Sequence, residues 1–361
     1  MTRKRILLIC PNPEDEAPGQ RLKYEQYFGY LRANGYEITV SPFITMAFWR
    51  VIYKPGHYGR KVFWTLFGYA RRVFDLLRAP FYDGVYIFLW VTPFGTSFFE
   101  RLFRLAARKV IYDIDDLVFL GNTSSANKVV ALLRGRAKYV YLMKCADHVI
   151  TCTPYLDKFV RQYNARTTDI SSTINTDTYM PSNRYSNDQP LVIGWSGSLT
   201  TAPYLRLLEK PLLRLKEKHD FKLLVIGDPN FKMPGLEVEA IPWRLATEVR
   251  DLSRIDIGVY PLPDKEWVYG KSGLKALQYM TLGIPTVAAA IGANFRVIED
   301  GVSGYLVKTE EEWLSRLESL VTDAQLRRKI GEGARKRVEA SFSIKVNRDT
   351  YLGIFKNIYG A

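Results

Sequence analysis

The chain has 361 residues, 47% hydrophobic and 14% aromatic, which excludes a disordered protein and suits two domains of ordinary size. Lys and Arg number 51 against 37 Asp and Glu, a formal charge of +14, so the partners to expect are anionic: nucleic acid, acidic lipid or a polyanionic small ligand. Cys10, Cys145 and Cys152 form no CxxC and have no His neighbour at metal spacing, so neither a disulfide framework nor a zinc site is indicated and a reducing compartment is expected.

The basic start at residues 1–5 runs into a short apolar stretch, 6–10, that stops at Pro11 as a first β-strand would; it does not read as a cleavable signal. No window has the length of a membrane span without charges. Residues 20–34 read as an amphipathic helix ended by Gly35, and 37–41 as a second strand. Further short strands are predicted at 84–89, 110–112 and 149–152, with helices at 98–107 and 126–144 between them. Alternating strands and helices make residues 1–180 one doubly wound α/β unit. Residues 169–189 are rich in Ser, Thr, Asn and Asp and read as a linker. A second unit, 181–343, has strands at 191–195, 222–226, 236–241, 257–260 and 286–289. Helices are predicted at 202–218, 247–253, 271–282, 310–323, 324–341 and 344–359, and residues 344–361 are expected to return to the first unit. Two Rossmann-like domains facing each other across a cleft follow, with ligands expected at the carboxyl ends of the strands.

The most informative stretch is Tyr269-Gly270-Lys271-Ser272-Gly273-Leu274-Lys275, running on through Gln278 to Gly283-Ile284-Pro285. A glycine-rich turn, two lysines and a helix start together make a phosphate cradle. With residues 271–282 helical, Lys271 and Lys275 lie one turn apart on one face and reach the same diphosphate. The alternative is a solvated helix with two surface lysines. Gly194-Trp195-Ser196-Gly197-Ser198 offers small residues and N–H groups at a strand end, where a plain tight turn is the other reading.

These blocks, with the Pro-rich turn 261–267 and its Trp267, resemble the GT-B nucleotide-sugar glycosyltransferases, specifically the retaining family four and a bacterial branch of it. The resemblance covers essentially the whole chain. It implies that the second domain holds the nucleotide diphosphate sugar and the first the acceptor, and that basic groups rather than a metal meet the diphosphate. The donor-side residues so implied are Gly194, Ser196, Gly197, Ser198, Trp243, Gly270, Ser272, Gly273 and Gln278, with Trp243 stacking on the base and Lys271 and Lys275 on the diphosphate. Most members carry two glutamates eight residues apart where this chain has Gly270 and Gln278. Gln278 can still hydrogen-bond a ribose, but the missing first glutamate leaves the donor sugar open.

In the first domain, Asp113, Asp115 and Asp116 crowd the end of a strand. Relatives often have a histidine where Asp115 stands, which makes an acceptor-positioning or deprotonating site one reading. A DxD metal site, a haloacid-dehalogenase-type phosphatase and a simple N-cap are the others. Gly19, Gln20 and Arg21 follow the first strand, and in the family that loop looks toward the phosphate or the acceptor, although Arg21 reads equally as a solvated first-turn residue. Residues 42–82 carry Arg50, Lys54, Arg60, Lys61, Arg71, Arg72 and Arg78 against Asp75 alone, interleaved with aromatics such as Phe43, Trp49, Phe63, Trp64 and Phe74. That pattern suits docking on anionic membrane, with arginines on the headgroups; a helix packed on its own domain is the alternative, and no recognised nucleic-acid motif accompanies it. The three histidines are scattered and suggest no catalytic role.

The expectation is a glycosyltransferase moving a sugar from a nucleoside diphosphate sugar to a hydroxyl of a glycan or lipid-linked acceptor. Its place would be the cytoplasmic face of the cell membrane, with no metal or other cofactor. A degenerate GT-B protein that only binds a nucleotide sugar or glycan is the alternative.

Overall fold

The computed structural model describes residues 3–119, 135–181, 185 and 190–360. The chain forms two compact units, Met1–Ser171 with Asn347–Ala361, and Ser172–Val346. Part of the predicted 126–144 helix and most of 182–189 lie outside the described residues.

The first unit is a six-stranded parallel sheet in the order β2-β1-β3-β4-β5-β6. The strands are β1 (Lys4–Cys10), β2 (Tyr36–Pro42), β3 (Gly84–Phe88), β4 (Val110–Asp113), β5 (His148–Thr151) and β6 (Thr167–Asp169). Buried on both faces, β1, β3 and β4 read as continuous apolar runs, as parallel strands do. β6 falls where the chain reads as the head of a linker; three polar residues give no periodicity, and only pairing with β5 makes them a strand. The final helix Ile344–Tyr359 starts in the second unit and completes the first one, stacking Tyr351 on Tyr27 with ring centroids 4.4 Å apart.

The predicted 20–34 helix is broken into Pro18–Arg21, a 3-10 turn Glu25–Tyr27 and Phe28–Ala33. The break serves Lys23, whose buried Nζ donates to the carbonyls of Thr151 (2.8 Å) and Ile170 (2.6 Å) at the ends of β5 and β6. A continuous amphipathic helix has no place for such a charge, and tertiary hydrogen bonds override its propensity.

The helix Tyr58–Arg78 is turned inside out. Its inner face carries Arg72 and Asp75, both fully buried and paired at 2.8 Å, with Arg72 also donating to the carbonyls of Cys10, Ser41 and Val91. Its outer face carries Val62, Phe63, Leu66, Phe67, Val73, Phe74 and Leu77, each 42% to 68% exposed. The picture of its arginines meeting headgroups is thus corrected for Arg72, which is locked onto the sheet, and for Arg71, whose guanidinium donates to the Pro42 carbonyl.

The second unit is also parallel, in the order β12-β11-β10-β7-β8-β9. Its strands are β7 (Leu191–Ser196), β8 (Phe221–Ile226), β9 (Val238–Ile241), β10 (Ile257–Tyr260), β11 (Thr286–Ala289) and β12 (Tyr305–Val307). Taken from β7, this is the 3-2-1-4-5-6 order of dinucleotide-binding sheets, whose switch point lies between the first and fourth strands, here β7 and β10. Ligands in such sheets bind outside the carboxyl ends of those two strands.

Asp75→Ala leaves Arg72 buried without its carboxylate. A loss of about 3–5 kcal/mol is expected, measured as a fall in the urea midpoint at unchanged slope.

Candidate functional site

Both loops at the β7/β10 switch point come from the segments singled out in the sequence. After β10, Pro261 ends the strand, Glu266–Gly270 makes a 3-10 turn, and the helix Leu274–Thr281 starts behind Gly273. Gly273 is left-handed (φ 75°), and a Cβ there would also lie 2.9 Å from Val297. Lys271 is therefore not helical: its backbone is extended (φ −76°, ψ 130°), so the expected one-turn spacing from Lys275 does not exist. The two charges come together by another route. Lys271 Nζ sits 5.0 Å from the Trp267 ring centroid, while Lys275 Nζ sits 4.3 Å from that of Trp195 and 5.6 Å from that of Tyr260. The charge of Lys271 is felt at Lys275: burial first, then that repulsion, push the Lys275 ammonium from 10.5 to about 7. Cation–π contact with an indole, about 2 kcal/mol when desolvated, holds the ammonium in place without neutralising it.

The loop after β7 supplies space rather than donors. The Ser196 N–H donates to Tyr279 Oη (2.7 Å), the Gly197 N–H to the Ile226 carbonyl (2.9 Å) and the Ser198 N–H to Thr201 Oγ1 (3.1 Å). The expected cradle of free amides at Ser196–Ser198 is thus corrected: all three are used within the protein. What Gly197 contributes is the absence of a side chain, since a Cβ there would lie 2.4 Å from Trp195 and 2.5 Å from Lys275 Nζ. Gly194 is a packing glycine inside β7, with Ile255 filling the volume of its missing Cβ. Lys275 Nζ also donates to Thr201 Oγ1 at 3.3 Å. The cationic groups at this place are the ammonium groups of Lys271 and Lys275, and they stand beside the start of the Leu274–Thr281 helix, whose first N–H groups have no partner within the helix.

Of the other donor-side candidates, Ser272 hydrogen-bonds Ser172 through the two hydroxyls (2.7 Å), and Gly270 is buried at the end of the 3-10 turn. Gln278 and Trp243 meet on Glu248, a residue that sequence reasoning missed. Glu248 Oε1 accepts from Trp243 Nε1 (2.9 Å) and Gln278 Nε2 (3.1 Å), and Oε2 accepts from the Tyr179 hydroxyl (2.5 Å). A glutamate at the start of a short helix reads as an ordinary first-turn acid, so no local signal marked it. Trp195 and Tyr260, whose rings flank Lys275, and Tyr279, which takes the Ser196 N–H, were likewise hidden as core aromatics.

In the first unit the loop after β1 lies against the end of β4. A Cβ at Gly19 would lie in ordinary contact with Asp115, 3.4 Å from Oδ2. Gln20 is buried and holds that loop, with Nε2 donating to Glu25 Oε1 (2.6 Å) and to the Asn12 carbonyl (3.0 Å). Arg21, Asp115 and Asp116 are half-buried, and Asp116, at φ 67°, accepts the Leu117 N–H on its own side chain (2.8 Å). Asp113 is fully buried, takes the Tyr86 hydroxyl and pairs with Lys23 at 3.5 Å. Burial raises its carboxyl to about 6 against the pull of Lys23. It is a group held beneath the surface, out of reach of a metal or substrate above it. Among the described residues no three His, Cys, Asp or Glu side chains are grouped so as to hold a metal ion.

Two Rossmann-type sheets, each with its own candidate loops, define the GT-B fold. The whole chain matches sucrose-phosphate synthase of Thermosynechococcus elongatus with a TM-score of 0.71 and 16% identity, over 98% of this chain and 99% of that one. It matches HepE of Anabaena, solved with UDP and glucose, with a TM-score of 0.70 and 16% identity, over 99% and 100%. Residues 190–323, which contain every donor-side residue above, match the family model described as Glycosyl transferases group 1. Together these show the GT-B fold for the chain and a likeness to group 1 glycosyl transferases for residues 190–323. A D-inositol 3-phosphate glycosyltransferase of Stackebrandtia nassauensis is 38% identical over 85 residues, 23% of this chain and 19% of that one. The chain thus matches about a fifth of that curated relative's length.

Gly197→Ala should abolish diphosphate binding and also lower the melting temperature, because the added methyl meets both Lys275 Nζ and the buried Trp195 ring; calorimetric titration with pyrophosphate and a thermal melt read the two effects. A bound diphosphate favours the ammonium of Lys275, so above pH 7 binding takes up a proton and affinity falls by up to about tenfold per pH unit. Titrations in buffers of different ionisation enthalpy measure that uptake. In the empty protein the depressed pKa means that the unfolded state holds more protons between about 7 and 10.5, so stability rises with pH through that window. Lys275→Met should flatten this rise.

Proposed function

We propose that this protein is a glycosyltransferase that takes a sugar from a nucleoside diphosphate sugar, the diphosphate resting on Lys271, Lys275 and the start of the Leu274–Thr281 helix. The single observation that carries this is the pair of cations at the β7/β10 switch point, Lys271 against the Trp267 ring and Lys275 buried between the rings of Trp195 and Tyr260. As the sugar–oxygen bond breaks, negative charge grows on the leaving diphosphate, and preorganised ammonium groups stabilise it without solvent reorganisation. The sugar passes through an oxocarbenium-like state. Binding of UDP and glucose by HepE supports a uridine donor. On this reading the acceptor is a hydroxyl of a surface glycan or lipid-linked glycan, served by Asp115 and the Gly19–Arg21 loop, and the configuration is retained.

The outward apolar face of Tyr58–Arg78 supports a bilayer as partner. Seven large apolar side chains are exposed there, Arg50, Lys54 and Arg60 are exposed close by in sequence, and the one acid of the helix, Asp75, is buried. Apolar area enters the acyl boundary and the cations meet anionic headgroups. No described helix is long and apolar enough to cross a membrane.

Transfer or hydrolysis of UDP-sugars tests the donor reading. Lys275→Ala should lower turnover by about a hundredfold or more, and near-normal turnover in that variant removes the assignment; UDP-sugar binding with no transfer to any acceptor would leave a binding protein. Sedimentation with phosphatidylglycerol vesicles tests the helix. Phe63→Glu with Phe74→Glu should abolish binding while melting temperature holds, and undiminished binding would exclude this face.

A further inference from the structure

Glu248 is 4% exposed, yet three donors from three separate segments converge on its carboxylate: the Trp243 indole N–H, the Gln278 amide and the Tyr179 hydroxyl. Burying a carboxylate is costly unless its lone pairs are filled, and here they are filled by groups that each belong to a different part of the unit. Gln278 ties this cluster to the cation site. It follows Lys275 by three residues on the same face of one helix, about 4.5 Å along the axis. A ligand whose diphosphate rests on Lys275 therefore runs its next group, the nucleoside, toward Gln278 and Trp243. Trp243 is half-buried and its single N–H is spent on Glu248, so its edge is fixed and its ring face is what it can offer to a ligand.

We infer that Glu248 is the positioning residue of the nucleoside end: it clamps the Trp243 ring edge-on and orients the Gln278 amide, so that a planar base stacks on the indole while the ribose meets Gln278. This rests on the donor reading above and adds to it a residue that touches no ligand itself. It also accounts for an amide at 278. A second carboxylate there would face Glu248 at hydrogen-bond distance and repel it, whereas an amide donates to it.

Calorimetric titration of the full chain with UDP and, separately, with inorganic pyrophosphate tests the inference. Glu248→Ala should weaken UDP by about tenfold or more, the scale of one stacking contact, and leave pyrophosphate unchanged. Glu248→Gln should keep most of the UDP affinity, because its carbonyl still accepts from Trp243 and Gln278 and its amide can donate to the Tyr179 oxygen. Trp243→Ala should cost UDP affinity as well, and adding Glu248→Ala to it should cost little more, since both act through one ring. Equal loss of UDP and pyrophosphate in Glu248→Ala, or a fall in melting temperature that accounts for the loss, overturns the inference in favour of plain structural support. Unchanged UDP binding in Glu248→Ala, with the wild type binding both ligands, overturns it and spares the donor reading. A wild type that binds neither ligand overturns both.

Discussion

The ammonium of Lys275 is the constraint on which the second unit turns. For the proposed function it must stay near the mouth of a sheet, enclosed enough to interact strongly with an incoming anion and yet not neutralised by a carboxylate first. Aromatic faces meet that demand, since Trp195 and Tyr260 stabilise a cation without forming an ion pair. Gly197 leaves the volume, and the Tyr279 hydroxyl, by taking the Ser196 N–H, fixes the loop that frames it. The second ammonium, from Lys271, raises the electrostatic cost of the empty site. On the proposed reading such a site is held at a disadvantage by the fold and relieved by its ligand, the usual relation between stability and function at a binding centre.

The first unit handles buried charge in the opposite way. Lys23 and Asp113 are both fully buried and paired, and Lys23 also caps the carbonyl ends of β5 and β6. Burial alone would discharge Lys23, but Asp113 and its neighbours outweigh it and hold the ammonium above its ordinary value. The pair locks the ends of three strands beneath Asp115, so the loop carrying Gly19 rests on a rigid floor. Arg72 and Asp75 do the same for the helix Tyr58–Arg78, whose inward face carries this buried pair and whose large apolar residues are left outward. A helix built this way gains its anchoring from hydrogen bonds and leaves its hydrophobic area for another surface.

Much of this was legible in the chain itself. Ten of the strands were marked in the chain, most plainly as continuous apolar runs such as β1, β3 and β8, because a strand buried on both faces in a parallel sheet has little choice of residue type. Three-residue strands were not legible: β6 and β12 depend on the neighbour they pair with. The approach of Lys271 and Lys275 was anticipated for the wrong reason. Helical spacing was expected, whereas Gly273 in the left-handed region starts the helix late and the aromatic rings Trp267 and Trp195 fix the two ammonium positions.

Composition, strand pattern and the glycine-lysine block by themselves determined a doubly wound α/β chain with a glycine-rich, basic turn leading into a helix, because burial and backbone freedom are written residue by residue. Only the tertiary structure decided that the Ser196–Ser198 amides are spent, that Arg72 faces inward, and that Glu248 gathers Trp243, Gln278 and Tyr179. Hydrogen-bond partners tens of residues apart carry no local signature, and which face of a helix is wet depends on what the rest of the fold sets against it.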